Sequence, residues 1–239
     1  LYSFWISSNV GGFFSVAFSA SGVIFDTYAT STITIAGISM INGVPLINPS
    51  YEKILGLSGE EEFNEITFNN ETYLATKEVL ESQADNNGNI FVYNDAPAIR
   101  ANLSSIITEI NNVKISSIDG LVKEISKYSP GDKIKITEKT DDGFSEKEII
   151  LEEHPNKPGN VWLGIGFFSN EPKGFFGKLV GNLASFRDKN IYYEPKIDGI
   201  SVFIYNLLWW IVIISISVAL INMLPVGIFD GGRFFYLTV

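Results

Sequence analysis

The sequence predicts helical membrane segments on either side of an α+β domain that lies in water. The prediction rests on where the charges are, because 42 of the 44 charged residues lie between Asp26 and Asp198. The stretches Leu1–Phe25 and Gly199–Phe229 carry no charge, and about 20 apolar residues in a helix cross a bilayer core. The middle is about a quarter charged, which is normal for a domain in water.

Composition excludes several classes of protein. The chain contains no cysteine, which excludes a disulfide-stapled secreted domain. Its net charge is −10 and no stretch forms a basic patch, so we expect no nucleic-acid partner. The two charge-free stretches also argue against an ordinary soluble globule.

The C-terminal part, residues 199–239, is predicted to be a transmembrane region. Its middle, Phe203–Leu220, is rich in Ile, Val, Leu and Trp. Trp209 and Trp210 lie near the centre of this run and therefore do not form an interfacial belt. A buried helix in a large soluble core is the alternative, but such a helix needs several apolar helices of comparable length around it, and the sequence does not offer them.

The N-terminal part, residues 1–25, is predicted to be a second transmembrane helix. Gly11, Gly12 and Ser15 lower helix propensity in water, but such small residues allow close helix contacts in membranes. A signal peptide is the competing interpretation, although the stretch has no basic start and no initiating Met. Because the chain begins in one apolar run and ends in another, we expect it to be an internal piece of a longer membrane protein.

The middle domain, residues 26–168, is predicted to combine short strands with helices. Its strands are expected at Thr32–Ile41, Glu65–Phe68, Ile106–Ile110, Val113–Ile115, Lys133–Glu138 and Glu146–Leu151, and its helices at Tyr73–Ser82 and Ile118–Tyr128. The more polar residues 46–89 are expected to be an insertion. Residues 169–198 would form a juxtamembrane segment, and Gly174–Phe186 within it is weakly amphipathic and suits a membrane surface.

Residues 90–153 resemble a PDZ domain of the protease-associated kind. The likeness lies in Asn94–Leu103, in the strand pair Ser104–Val113 and in the turn Tyr128–Asp132. Asn102 stands where the PDZ pattern usually has glycine. A small α+β domain that only spaces two membrane segments is the alternative.

A PDZ groove binds an extended peptide as an added strand. The resemblance implies a groove for a peptide C-terminus between the strand 32–41 and the helix 118–128. Its lining is expected to include Ile33, Ile35, Ile118 and Val122.

The strongest chemical signal is the segment Asn222–Gly232. Asp230 follows a 31-residue uncharged run, and a carboxylate at mid-membrane costs about 2.5–3.5 kcal/mol, which makes it a candidate functional residue. Pro225 removes a backbone donor and bends a helix, and Gly231-Gly232 allow close backbone approach. The alternative is a plain helix end with Arg233 just outside the membrane.

The spacing Asn-x-x-Pro-x-x-x-x-Asp-Gly-Gly resembles the second metal-binding motif of the site-2 protease family, which are intramembrane zinc metalloproteases. Gly11 and Ser15 resemble the family's Gly-x-x-x-Asn/Ser/Gly motif, and the order of the three parts is the family's order. The resemblance implies a Zn²⁺ ion bound by Asp230 and by two histidines of a His-Glu-x-x-His helix. Asn222 would orient the substrate or stabilise the oxyanion. The residues between Pro225 and Asp230, Val226–Phe229, differ from the proline-rich sequence that is usual at this place in the family.

The chain contains a single histidine, His154, and no His-Glu-x-x-His. We therefore expect this chain alone to be inactive, with the two histidine ligands upstream of Leu1, and we expect His154 to be a surface loop residue. Three alternatives stay open. The parent could be a pseudoprotease without metal, a non-catalytic membrane-anchored PDZ-like adaptor, or a transporter or channel with Asp230 as its ion site.

The resemblance implies a multi-pass membrane protein that cleaves a transmembrane helix of another protein, in regulated intramembrane proteolysis. The PDZ-like domain would filter substrates and lie outside the cytoplasm. Basic residues before the second apolar stretch favour the opposite orientation by the positive-inside rule. They are Lys178, Arg187, Lys189 and Lys196.

Overall fold

The computed structural model describes residues 7–60, 62–83, 88–167, 186–222 and 237, and it divides the chain into two compact units. Residues 21–169 and 190–192 form the middle unit, and the parts of the chain on either side form the terminal unit. The terminal unit begins with a π-helical turn, Ser7–Gly11, and the helix α1, Gly12–Ala17.

The strand β1, Phe18–Ile24, follows α1 directly. The predicted helix over residues 1–25 is therefore wrong from Phe18 onward. Val23 pairs with Ile107 and Ile24 with Ile106, so a partner far along the sequence satisfies this backbone. A Cβ atom at Gly22 would lie 2.9 Å from the carbonyl oxygen of Ile107, which suits glycine at this close approach.

The remaining elements follow in chain order. The strands are β2 Thr27–Tyr28, β3 Thr30–Thr34, β4 Ile38–Ile41, β5 Val44–Pro45, β6 Asn64–Phe68, β7 Glu71–Ala75, β8 Asn89–Asn94, β9 Ile106–Ile110, β10 Val113–Lys114, β11 Lys133–Thr140, β12 Gly143–Ile150, β13 Glu152–Glu153, β14 Val161–Trp162, β15 Ile165–Gly166 and β16 Ile191–Pro195. The helices are α2 Tyr51–Leu57, α3 Lys77–Glu81, α4 Pro97–Arg100, α5 Ile118–Ile125 and α6 Ile200–Asn222.

One antiparallel sheet of the middle unit has the order β3-β8-β7-β6-β4-β5. Ser50 and Thr76 cap α2 and α3 by accepting from the N–H groups of Lys53 and Val79. Both helices bury an apolar residue in the core of this sheet. That core contains Ile33, Ile38, Ile41, Ile54, Ile66, Ala75, Leu80, Ile90 and Val92.

This sheet corrects three sequence predictions. The inserted sheet begins at Thr30 and ends at Asn94, so the insertion is larger than residues 46–89. The predicted strand 32–41 is two strands, because a 3₁₀ turn at Ile35–Gly37 separates β3 from β4. The predicted helix 73–82 is shortened to α3, because residues 71–75 pair with β6.

The other sheet has the order β12-β11-β9-β1-β16, with β10 paired to β9. The strand predicted at 106–110 is confirmed, as are the hairpin formed by β11 and β12 and the helix that begins at Ile118. Asn111 and Asn112 both have positive φ, 46° and 66°, which is the geometry of a tight two-residue hairpin turn. Local sequence signals therefore predicted the elements between Ile106 and Ile150.

Helix α6 is the one helix in the described parts of the chain that is long and apolar enough to cross a membrane. It has 23 residues and a mean hydropathy of 2.2. Within the terminal unit, Val212 of α6 packs against Val10, and both are almost fully buried. The ring of Phe14 lies 5.4 Å from that of Tyr205. Most other apolar side chains of α6 are exposed, which suits a helix surrounded by lipid.

Candidate functional site

The metal-binding motif predicted from the sequence begins where the described part of α6 ends. Asn222 is the last residue of this helix. Pro225, Asp230, Gly231 and Gly232 lie outside the described residues. Within the residues that are described, no group of three or more His, Cys, Asp or Glu side chains is arranged to hold a metal ion.

The small-residue motif lies at the start of the terminal unit. A Cβ atom at Gly11 would lie 3.1 Å from the Cβ and Cγ atoms of Phe186, so glycine lets this ring approach the backbone closely. The Ser15 hydroxyl donates to the carbonyl oxygen of Gly12 at 2.9 Å. The functional role of both residues stays a prediction.

The groove predicted between residues 32–41 and the helix 118–128 does not form. Ile33 is 3% exposed in the core of the inserted sheet, where Ile35 also packs against it. The cause is the register of β3, which pairs Ile33 with Ile90 of β8 and directs this side chain into that core. Ile118 does not line the cavity beside α5, whereas Val122 does.

That cavity has a volume of about 540 Å³ and lies between α5 and the segment 157–167. Its lining is mainly apolar, with polar side chains contributed by the loop before β14. The lining residues are Leu121, Val122, Ile125, Ser126, Tyr128, His154, Lys157, Gly159, Asn160, Val161, Trp162, Leu163, Gly164, Ile165 and Phe167. We call this cavity the α5 groove.

The helical wall of the α5 groove follows from the amphipathic sequence of α5. Ser117 caps the helix by accepting from the N–H of Gly120 at 3.1 Å. Leu121 is buried and anchors the helix, whereas Val122 is 59% exposed. An exposed valine next to a cavity is an apolar surface that a ligand could cover.

The opposite wall is the turn between β14 and β15. Gly164 has φ +84°, and a Cβ atom there would lie less than 3.0 Å from the Cβ of Ala96. Its carbonyl oxygen accepts from the N–H of Ala29 at 2.8 Å, and that of Leu163 accepts from the N–H of Ala98 at 2.9 Å. These two hydrogen bonds hold the turn in place, and only glycine fits at position 164.

The strand β15 has one edge paired with β2, and its other edge has no partner strand among the described residues. It pairs with β2 through Ile165 opposite Tyr28 and Gly166 opposite Thr27. Among the described residues this sheet has only two strands, and β15 also lines the α5 groove. An unpaired strand edge beside an apolar cavity is the arrangement that binds extended peptides by strand addition.

An ion-pair network connects helix α4 to the strand β13, which pairs with β14. Arg100 Nε lies 2.7 Å from Asp95 Oδ1, and its Nη1 lies 2.8 Å from Glu152 Oε1. The hydrogen bond that Arg100 donates to Glu152 raises the pKa of Arg100 above its ordinary value. Glu152 pairs with Trp162 across the two strands, so this network braces one side of the groove.

The loop before β14 brings His154 to the groove. Its Nδ1 accepts from the N–H of Asn156 at 3.1 Å, and its ring lies 5.9 Å from that of Trp162. His154 was expected to be a surface loop residue, and it is a half-buried loop residue that lines the cavity. The sequence signal for this wall is Trp162-Leu163-Gly164-Ile165, a glycine between apolar residues, and the predictions from sequence missed it.

Comparison with known proteins shows that the C-terminal part of the chain is similar to one protein family. Residues 188–239 match the model of peptidase family M50. This match contains the whole Asn222–Gly232 motif and confirms the resemblance to the site-2 protease family. M50 peptidases are membrane proteins and are generally zinc-dependent. The match to M50 covers only the C-terminal part of the chain.

The chain was also compared with curated proteins and with solved structures. None of the curated proteins matches it. Among solved structures, it is similar to the PDZ domain of an SdrC-like protein from Listeria monocytogenes. The two share 29% identity over 30% of this chain and 75% of that chain, with a TM-score of 0.27.

Proposed function

We propose that this chain is part of a membrane-embedded zinc metalloendopeptidase of the site-2 protease type, with Asp230 as one metal ligand. The M50 match over residues 188–239 carries this proposal. It is supported by α6, an apolar helix that leads directly into the motif, and by the position of Asp230 at the end of an uncharged run. Asn222 would orient the substrate or stabilise the oxyanion.

The donor set within these 239 residues is incomplete for a catalytic zinc ion, which takes three protein ligands. The chain has one histidine, and it lines the α5 groove in the middle unit. We therefore propose that two histidine ligands come from residues outside this sequence and that the chain alone is inactive. The residues here would supply Asp230 and the substrate-binding surfaces.

The substrate would be a transmembrane helix of another protein. We propose that the α5 groove filters such substrates by binding an extended segment or C-terminus as a strand added to β15. The role is supported by the edge of β15 that has no partner strand among the described residues and lies beside a mainly apolar cavity. The parent would cross the membrane several times, with the middle unit on the outer side.

A second function is a non-catalytic, membrane-anchored adaptor or pseudoprotease. One observation favours it: the described residues form a mainly apolar cavity, the α5 groove, whereas among those residues no group is arranged to hold a metal ion. In that case Asp230 would be structural, and the peptide groove would be the functional site.

Metal content separates the two functions. The full-length parent would be purified in detergent and its zinc measured by mass spectrometry, together with Asp230→Ala. Asp141→Ala serves as the control because Asp141 lies in the exposed turn after β11. If the parent is a zinc peptidase, we expect about one zinc ion per chain. This zinc should be lost in Asp230→Ala and kept in Asp141→Ala. A parent without zinc, or an unchanged zinc content in Asp230→Ala, would contradict it.

A further inference from the structure

We propose that the α5 groove selects peptides that carry an acidic side chain next to apolar ones, and that Lys157 and His154 determine this preference. The inference rests on the proposed peptide-binding function of the groove. An apolar cavity alone does not specify the charge of the peptide that binds it, whereas Lys157 and His154 favour an acidic one.

The first observation is the charge of the lining. The chain has 27 acidic and 17 basic residues, yet no Asp or Glu is among the described residues that line the α5 groove. Lys157 and His154 are present instead. Within a protein of net charge −10, this surface is one that an anionic ligand can approach without meeting a like charge.

The second observation is that Lys157 has no ion pair among the described residues. Six other basic side chains pair with carboxylates; they are Lys77, Arg100, Lys127, Lys133, Lys135 and Lys147. Lys157 shares this lack of an ion pair with other lysines, but unlike Lys53, Lys114 and Lys123 it lines the α5 groove, where its ammonium group can meet a ligand. Its three N–H donors suit a carboxylate.

Two acidic residues of the elements that form the groove have partners of their own. Glu153 Oε1 accepts from the N–H of Gly159 at 2.6 Å, within the loop that carries Lys157. Glu124 on α5 is 6% exposed and forms an ion pair with Lys127. Neither carboxylate competes with a ligand for Lys157.

The loop itself is ordered by its own hydrogen bonds. The N–H of Lys157 donates to the carbonyl oxygen of His154 at 3.1 Å, and the N–H of Asn160 donates to that of Lys157 at 3.1 Å. Fixing the backbone in advance lowers the entropic cost of binding. Lys157 is thus held at the groove by its main chain.

His154 offers a second donor. Because Nδ1 accepts from the N–H of Asn156, the neutral ring carries its proton on Nε2, where it is a donor. The neighbouring indole of Trp162 removes part of the surrounding water. Hydrogen bonds to a carboxylate are stronger than those to a neutral amide, and more so where water is displaced.

The test uses the full chain in lipid nanodiscs and labelled peptides. The probes are fluorescein-labelled decapeptides of Val and Ala in which one Glu is moved through the positions, and a matched series with Gln. Fluorescence anisotropy gives the Kd of each peptide. We expect one register at which Glu binds about fivefold more tightly than Gln, a size typical of a partly exposed ion pair.

Variants assign the preference to its residues. Lys157→Gln is expected to abolish the preference for Glu while leaving the Kd of the Gln peptide unchanged, and Lys157→Arg is expected to keep it. His154→Gln is expected to reduce it. Lys123→Gln is the control, because Lys123 is an exposed residue of α5 that does not line the groove, and it is expected to keep the preference.

The outcomes separate the inference from the proposed function. If the Glu and Gln series bind equally at every register, the acidic preference is wrong and the peptide groove stands. The inference is equally overturned if Lys157→Gln and Lys123→Gln reduce the preference alike. If neither series binds, the peptide groove is wrong and the inference falls with it.

Discussion

Gly164 and Ala96 lie so close together that a side chain at position 164 would overlap the methyl group of Ala96. This contact fixes the turn between β14 and β15 against the start of α4, and the turn forms one wall of the α5 groove. The shape of the groove therefore depends on the absence of a Cβ atom at one position. A substitution at Gly164 therefore tests whether this contact determines the structure of the groove.

Gly164→Ala is expected to destabilise the middle unit by about 3 kcal/mol, because the new methyl group adds overpacking to the strain of a positive φ. Gly159→Ala is the matched control. Gly159 also has positive φ, +81°, but a Cβ atom there would meet nothing within 4 Å. It should cost only about 1 kcal/mol. Urea unfolding followed by tryptophan fluorescence compares the two, and equal costs would contradict the clash.

Lys147→Met is expected to destabilise the protein by about 3 kcal/mol because it leaves the carboxylate of Glu138 without its cation. The Glu138 side chain is 2% exposed, and its Oε1 lies 3.2 Å from Lys147 Nζ. Its Oε2 accepts from the N–H of Ser104 at 2.6 Å. Lys133→Met, on the same hairpin, removes an exposed pair with Glu148 and should change stability little. Unfolding midpoints measure both, and a Lys133→Met effect as large as that of Lys147→Met would contradict the expected difference.

Tyr28 should make stability fall at alkaline pH. Burial, with the charges of Glu62 and Glu138, raises the pKa of its hydroxyl to about 12 from a usual 10.0. Between these values the unfolded chain releases the proton that the folded protein keeps, so stability is complete below pH 10 and is lost as the pH rises towards 12.

Tyr28→Phe tests this dependence. The variant loses the hydrogen bond from the hydroxyl to the carbonyl oxygen of Leu103 and should be less stable at about pH 8. The difference from the wild type should shrink between pH 10 and pH 12. Thermal unfolding across this range measures it, and a constant difference would contradict the raised pKa.

Gly11→Ala and Gly12→Ala should have different effects in the terminal unit. Alanine favours a helix over glycine by roughly 1 kcal/mol at both positions. At Gly12 a Cβ atom meets nothing within 4 Å, so Gly12→Ala should raise the unfolding temperature. At Gly11 the atom would press on Phe186, which should cancel the gain. Thermal unfolding in detergent compares them, and an equal rise in both variants would show that Phe186 does not pack there.

The parts of the fold that could be predicted from sequence are those determined by near neighbours. The hairpin turn at Asn111-Asn112 needs two residues that tolerate positive φ, and asparagine is one of the few that do. The helix that begins at Ile118 follows from apolar spacing and from the cap at Ser117. Such signals lie within a few residues of the element that they specify.

The errors arose where distant pairing decides the outcome. Residues 18–24 are apolar and could be helix or strand, and their pairing with β9 decides for a strand. Ile33 was expected to line a groove because of the resemblance to a PDZ domain, but its pairing with Ile90 directs it into the core of the sheet. The wall that does form the groove depends on a contact between positions 96 and 164.

In the candidate site, too, some residues could be predicted from their neighbours in sequence and others could not. Val122 was predicted to line a peptide groove beside the helix 118–128, and it lines the cavity beside α5. That a peptide binds there stays a prediction. Lys157 was missed, because its significance lies in having no ion pair among the described residues, which appears only once the neighbouring carboxylates have found their partners.

The central claim is that Asp230 belongs to a peptidase centre in the membrane. Its most direct test is cleavage of a labelled transmembrane-helix substrate by the full-length parent in liposomes, comparing the wild type with Asp230→Ala and Asp141→Ala. We predict that Asp230→Ala loses cleavage while its circular dichroism and peptide binding are kept, and that Asp141→Ala cleaves normally. Cleavage at the wild-type rate by a folded Asp230→Ala protein would contradict the claim.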